Sequence, residues 1–223
     1  MPAFLLSSSR FGMLAQRAVE RSAEFSPDAL AAIVFSALWI ESFVNEVIHR
    51  VTVGREDLLP EGVLRLRQLA IAADLDGRDA RLDIKVQVIA TSLTGSLFDT
   101  GRQPYQDFHL LTGLRNELVH HKPETIEAVV IEHEDSPFSI PASFHSRVKS
   151  LVSRGIIASP DPKVWASLVS ILEQSAVANW AFSAAKQMIR AVADCFPSPG
   201  YRQTLLFGRW ALRENVATGK DSA

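Results

Sequence analysis

Apolar positions recur every three or four residues along most of this chain, and strand-like alternation is nearly absent. That period predicts an all-α protein, a bundle of amphipathic helices. Ser26-Pro27-Asp28 forms a helix start, with Pro27 suited to the first turn and Asp28 favourable to the helix dipole. The helix runs to about Val51 and ends over Thr52-Val53-Gly54. A short amphipathic helix follows Pro60, through Val63, Leu64, Leu66, Leu69 and Ala70. Another spans Leu82 to Leu93, carrying Ile84, Val88, Ile89 and Leu93, before Thr94-Gly95. A further helix occupies about Tyr105 to His121 and is stopped by Pro123, which lacks the amide hydrogen that would continue it.

The segment from Glu124 to Pro141 breaks the pattern and predicts a short acidic loop or strand. His133 stands between Glu132 and Glu134, but side chains adjacent in sequence point apart, which favours a solvated loop over a metal site. A helix near Phe144 to Arg154 follows, then a start at Ser159-Pro160-Asp161-Pro162 and a very long apolar helical run to Cys195. A last helix is expected near Arg202 to Glu214. The division that results is a helical bundle with its acidic loop over residues 1–142. A C-terminal helical extension over 143–223 packs on the same core. Gly95, Gly101 and Gly113 do not form a phosphate-binding loop.

Composition narrows the picture. With 223 residues, 47% of them hydrophobic, the chain can bury a sizeable core. A formal net charge of −2 argues against an all-over basic nucleic-acid binder. Phe144 to Asn215 nevertheless carries about +5, most simply as a solvated helical surface. The lone Cys195 excludes an intrachain disulfide and a thiolate cluster, and is expected in the core. Trp165, Trp180, Phe182 and Trp210 are likewise expected as core rather than as stacking platforms. Met1 to Ser9 does not read as a signal peptide, and the apolar run Ala29 to Ile40 stops at Glu41, short of a bilayer span. A cytoplasmic protein without a membrane segment is the expectation.

Candidate chemistry concentrates on the helix before Pro123. At about 100° per residue, Phe108, Leu111, Leu114, Leu118 and Val119 surround Arg115, so its guanidinium points into the apolar arc. Such a charge is costly unless paired or held at a polar edge. His109, Gly113, Asn116 and His120 share a second face, at the i, i+4, i+7, i+11 spacing of a groove or an interface. On the Pro27 helix, Glu41 interrupts the apolar line of Leu30, Ile33, Val34, Ala37, Val44 and Ile48. A buried Glu41–Arg115 ion pair is therefore expected, with Asn45 one turn further along. Such a pair can serve only to fix helix register.

Arg115-Asn116 followed by His120, with four residues between arginine and histidine, resembles the motif of the HEPN superfamily; His121 fits at five. Ala37 to Glu46 is similar to the earlier helix of such bundles, so the resemblance covers roughly Pro27 to Pro123. It implies a bundle that commonly forms a homodimer, bringing two Arg/His sets into one cleft. Many members are metal-independent endoribonucleases that need no cofactor, in toxin–antitoxin, defence or RNA-processing systems. Others serve as non-catalytic dimerisation or ligand-binding modules. An antitoxin or another protein from the same operon is thus an expected partner, beside RNA. Family members with a tyrosine two positions after the histidine can be modified there, whereas this chain has Lys122, a candidate RNA contact that the helix dipole also explains.

The residue types suit RNA cleavage. A histidine, with an unperturbed pKa near 6.5, could take the 2′-OH proton or protonate the departing 5′-oxygen. Arg115 would hold the phosphate in a two-pronged contact and stabilise the transition state. Asn116 would orient the phosphate or His120, and Glu41 would aim Arg115. His109, Asn45 and His121 are supporting candidates.

Overall fold

The computed structural model describes residues 7–54, 59–77, 80–120, 142–159 and 168–197, all helical or in the turns between helices. Eight helices appear among the described residues: α1 (Ser7–Ser22), α2 (Asp28–Val53), α3 (Glu61–Ala72), α4 (Leu82–Thr94), α5 (Tyr105–Val119), α6 (Ala142–Ser153), α7 (Leu168–Leu172) and α8 (Ser175–Asp194). The architecture is an all-α bundle.

The organising element is α2. Its buried residues Ala29, Ala32, Ile33, Ser36, Ala37, Ile40, Phe43, Val44, Val47, Ile48 and Val51 follow the three-and-four spacing of one broad face. Against that face pack α1, α8, α5, α3 and α4. Alanines at 178, 181, 184 and 185 keep the inner face of α8 shallow, letting it lie close to α2 in a core it shares with α5. Among the described residues α2 is the one helix long and apolar enough to cross a membrane, but half of its most apolar window is buried inside the bundle.

Residues far apart in sequence pin the outer helices. The Glu46 carboxylate accepts from the Ser8 amide at 2.8 Å and from the Ser8 hydroxyl at 2.6 Å, capping the start of α1 from the middle of α2. Along the same seam Gly12 leaves room for Trp39, whose ring stacks on Phe182 of α8 at 5.4 Å. A Cβ at Gly12 would come within 2.9 Å of that ring. Gly95 closes α4 in the left-handed conformation, its amide donating to the Thr91 carbonyl at 3.0 Å.

Several expectations need correction. The long apolar run before Cys195 is not one helix. It breaks at Gln174, whose backbone is extended and whose side chain donates to the Ile171 carbonyl at 2.7 Å, separating α7 from α8. Cys195 is the half-buried residue that caps α8, with its thiol on the Ala191 carbonyl. Val119, placed in the apolar arc by the helical wheel, is exposed, because α5 has reached its end there. Leu69 and Ile84 are also exposed, while the neighbouring Lys85 is buried. Helix α1 answers to no expectation from the sequence. The acidic segment from Glu124 to Pro141 with His133, the helix near Arg202 to Glu214, and Trp165, Trp210, His121 and Lys122 lie outside the described residues.

Candidate functional site

A cavity of about 380 Å³ opens where four helices meet. Helix α2 contributes Ala37 and Glu41; the start of α4 contributes Arg81, Leu82 and Asp83; α5 contributes Phe108, His109, Thr112, Gly113, Arg115 and Asn116; and α6 contributes Arg147. The shared face expected on α5 is thus largely assembled here, since His109, Gly113 and Asn116 all line the space.

Arg115 is held at the edge of the core, its side chain 24% exposed. Its Nη1 donates to Asn116 Oδ1 at 2.9 Å, and its Nη2 makes a loose contact with Glu41 Oε2 at 3.5 Å. Its Nε is buried with no protein partner. The Glu41 side chain is 42% exposed, so the expected buried ion pair is instead a pair at the cavity rim. A contact of that length and exposure contributes about 1 kcal/mol at most. Helix register therefore does not rest on it, and much of the guanidinium's donor capacity is free for a ligand.

Asn45 does not support Arg115. Its Oδ1 accepts from Lys85 Nζ at 2.8 Å, one turn along α2 from Glu41. Lys85 is only 5% exposed, and burial lowers its pKa below the ordinary 10.5, a trend partly offset by the nearby carboxylates of Asp76 and Glu41. This contact ties α4 to α2. Arg81 and Asp83 pair with each other through contacts of 2.6 and 3.1 Å.

His120 stands apart. It caps α5, its amide donating to the Asn116 carbonyl at 2.9 Å, and its exposed side chain does not line the cavity. Eleven residues of helix separate it from His109, roughly 16 Å along the axis. One chain therefore presents one histidine to the cavity and another at the helix end.

Arg147 had no signal in the sequence beyond its place in a basic segment, because spacing along one helix does not say which residue of another it meets. Its Nε pairs with Glu117 Oε1 at 3.0 Å, and its guanidinium lies over Gly113. A Cβ on Gly113 would stand 2.7 Å from the Arg147 Cζ, so the glycine is what admits the arginine. Arg154, just past the end of α6, pairs with Asp107 nearer the start of α5, so α6 runs antiparallel to α5. These pairs consume two charges of the basic segment that otherwise read as solvated surface. Glu117 is pushed above its ordinary pKa by burial, against the opposing pull of Arg147.

Among the described residues no group of three or more His, Cys, Asp or Glu side chains converges. No family model, curated protein or solved structure matches this chain.

Proposed function

We propose that the chain is a metal-independent endoribonuclease of HEPN type, acting in the cytoplasm as a homodimer and binding RNA through the α5 cavity. The observation that carries this reading is Arg115, which lines the cavity beside Asn116 with a buried Nε that no protein group satisfies. A phosphodiester supplies the acceptors this fork lacks.

In the proposed reaction a histidine removes the proton of a ribose 2′-OH, and the 2′-oxygen attacks the adjacent phosphorus. The bond from phosphorus to the 5′-oxygen breaks, and a second acid protonates that oxygen. The products are a 2′,3′-cyclic phosphate and a 5′-hydroxyl. Arg115 stabilises the charge on the pentacoordinate phosphorane, and Asn116 holds Arg115 in place through its Oδ1. His120 is the motif histidine, and His109 is the one lining the cavity. Their separation supports a site completed across a dimer, where one protomer's helix end meets its partner's cavity. An antitoxin-like protein from the same operon is the partner class that would control it.

One observation favours a second reading, a non-catalytic ligand-binding or dimerisation module: His120 does not reach the cavity that holds Arg115. The test is RNA cleavage in EDTA by wild type, Arg115→Ala, His120→Ala and His109→Ala proteins, with analysis of the fragment ends. Cleavage leaving cyclic phosphates, lost in Arg115→Ala and His120→Ala, supports the nuclease. Binding without cleavage by any of them supports the module.

A further inference from the structure

We propose that Arg147, reaching in from α6, is a second phosphate-binding arm of the α5 cavity, gripping an RNA phosphodiester together with Arg115. The inference rests on the RNA reading above and adds to it a residue on α6, outside the Arg-Asn-His motif.

Three observations converge on it. Both guanidinium groups line the same cavity, Arg115 from α5 and Arg147 from α6. Arg147 Nη1 is buried without a hydrogen-bond partner, as is Arg115 Nε, so the protein does not fully satisfy either guanidinium. Two such donors at one cavity are what a phosphate's several acceptor oxygens satisfy. Finally, Gly113 sits mid-helix, where glycine costs about 1 kcal/mol relative to alanine, and the atoms that a side chain there would displace belong to Arg147.

A clamp between helices does not account for this arrangement. Arg154 and Asp107 already tie α6 to α5, without lining the cavity. Arg147 meets its carboxylate through Nε alone, leaving Glu117 Oε2 buried and unpartnered too. Burial pushes the pKa of that carboxyl up, and the pull of Arg147 opposes the rise.

The experiment measures binding of a single-stranded 2′-O-methyl oligoribonucleotide, which cannot be cleaved because its 2′-oxygens carry no proton. Fluorescence anisotropy over a range of salt concentrations compares full-length wild type with Arg115→Ala, Arg147→Lys, Gly113→Ala and the double variant Arg147→Ala/Glu117→Gln. The double variant avoids stranding a buried carboxylate, and Arg147→Lys keeps the charge that meets Glu117. Circular dichroism confirms that each is folded. The expected result is affinity lowered roughly 10-fold or more in the double variant and in Arg115→Ala. The log–log salt slope becomes shallower by about 0.7 for a lost phosphate contact. Gly113→Ala and Arg147→Lys weaken binding in the same direction, and the exposed Arg17→Ala leaves it unchanged.

Wild-type affinity in all three Arg147 and Gly113 variants, with loss only in Arg115→Ala, would overturn the role of Arg147 and leave the RNA reading intact. Absence of binding by wild type would overturn both. Competition by a 5′-nucleoside monophosphate at equal concentration would overturn the assignment to RNA.

Discussion

Single residues decide how this cavity differs from an ordinary helix junction. Arg115 is only partly satisfied by the fold, since its ion pair with Glu41 is long and at the rim and its Nε has no partner. Glu41→Gln should therefore change thermal stability by less than about 1 kcal/mol, a result that thermal unfolding would check. Lys85 shows the opposite behaviour, with its charge buried against Asn45. Its folded pKa is lowered, so the unfolded chain binds the proton first as pH falls from 10.5. Stability of the wild type relative to Lys85→Gln should rise with pH between that lowered value and 10.5, and stay level below it. Urea unfolding of both proteins from pH 7 upward measures this, and a flat difference across the window would contradict it.

Elements explain what the sequence could and could not reveal. Helix α2 was legible because eleven inward positions keep one period, and α5 because Pro123 ends its pattern and polar groups interrupt a defined face. The break at Gln174 was not legible, since Leu172 and Val177 on either side of it are both buried and the apolar pattern runs on. Nor was Arg147, because its meeting with Gly113 depends on tertiary packing rather than on spacing. Glu41 was correctly paired with Arg115 but misplaced in depth, as a wheel gives direction around an axis and not distance from solvent. The α1 seam was also hidden, since it depends on long-range partners. There, Gly12→Ala gains helix propensity of about 1 kcal/mol but pushes Cβ into the Trp39 ring already stacked on Phe182. Overpacking of a rigid ring costs about 1–3 kcal/mol, so the variant should melt below the wild type. Glu46→Ala should also lower stability, by about 1–2 kcal/mol, through loss of the α1 cap.

At the scale of the whole molecule, the described residues place Arg81, Arg115, Arg147 and His109 at a cavity, and His120 at a helix end. This distribution supports a composite site formed by two copies. Sedimentation should accordingly give twice the mass of the chain at micromolar concentration. Mixing Arg115→Ala with His120→Ala protein should restore part of the cleavage that each lacks, because some mixed dimers regain one intact set. A monomer in sedimentation, or no restoration in a preparation that exchanges subunits, would contradict the shared site.

The central claim is that Arg115 and His120 cleave RNA without a metal. EDTA-treated wild type and the Arg115→Ala/His120→Ala double variant, incubated side by side with a structured RNA and probed for fragment 3′ ends, test it most directly. The account predicts 2′,3′-cyclic phosphate ends from the wild type and intact RNA from the folded variant. Equal cleavage by both proteins, or none by a folded, dimeric wild type across varied RNAs, would contradict it.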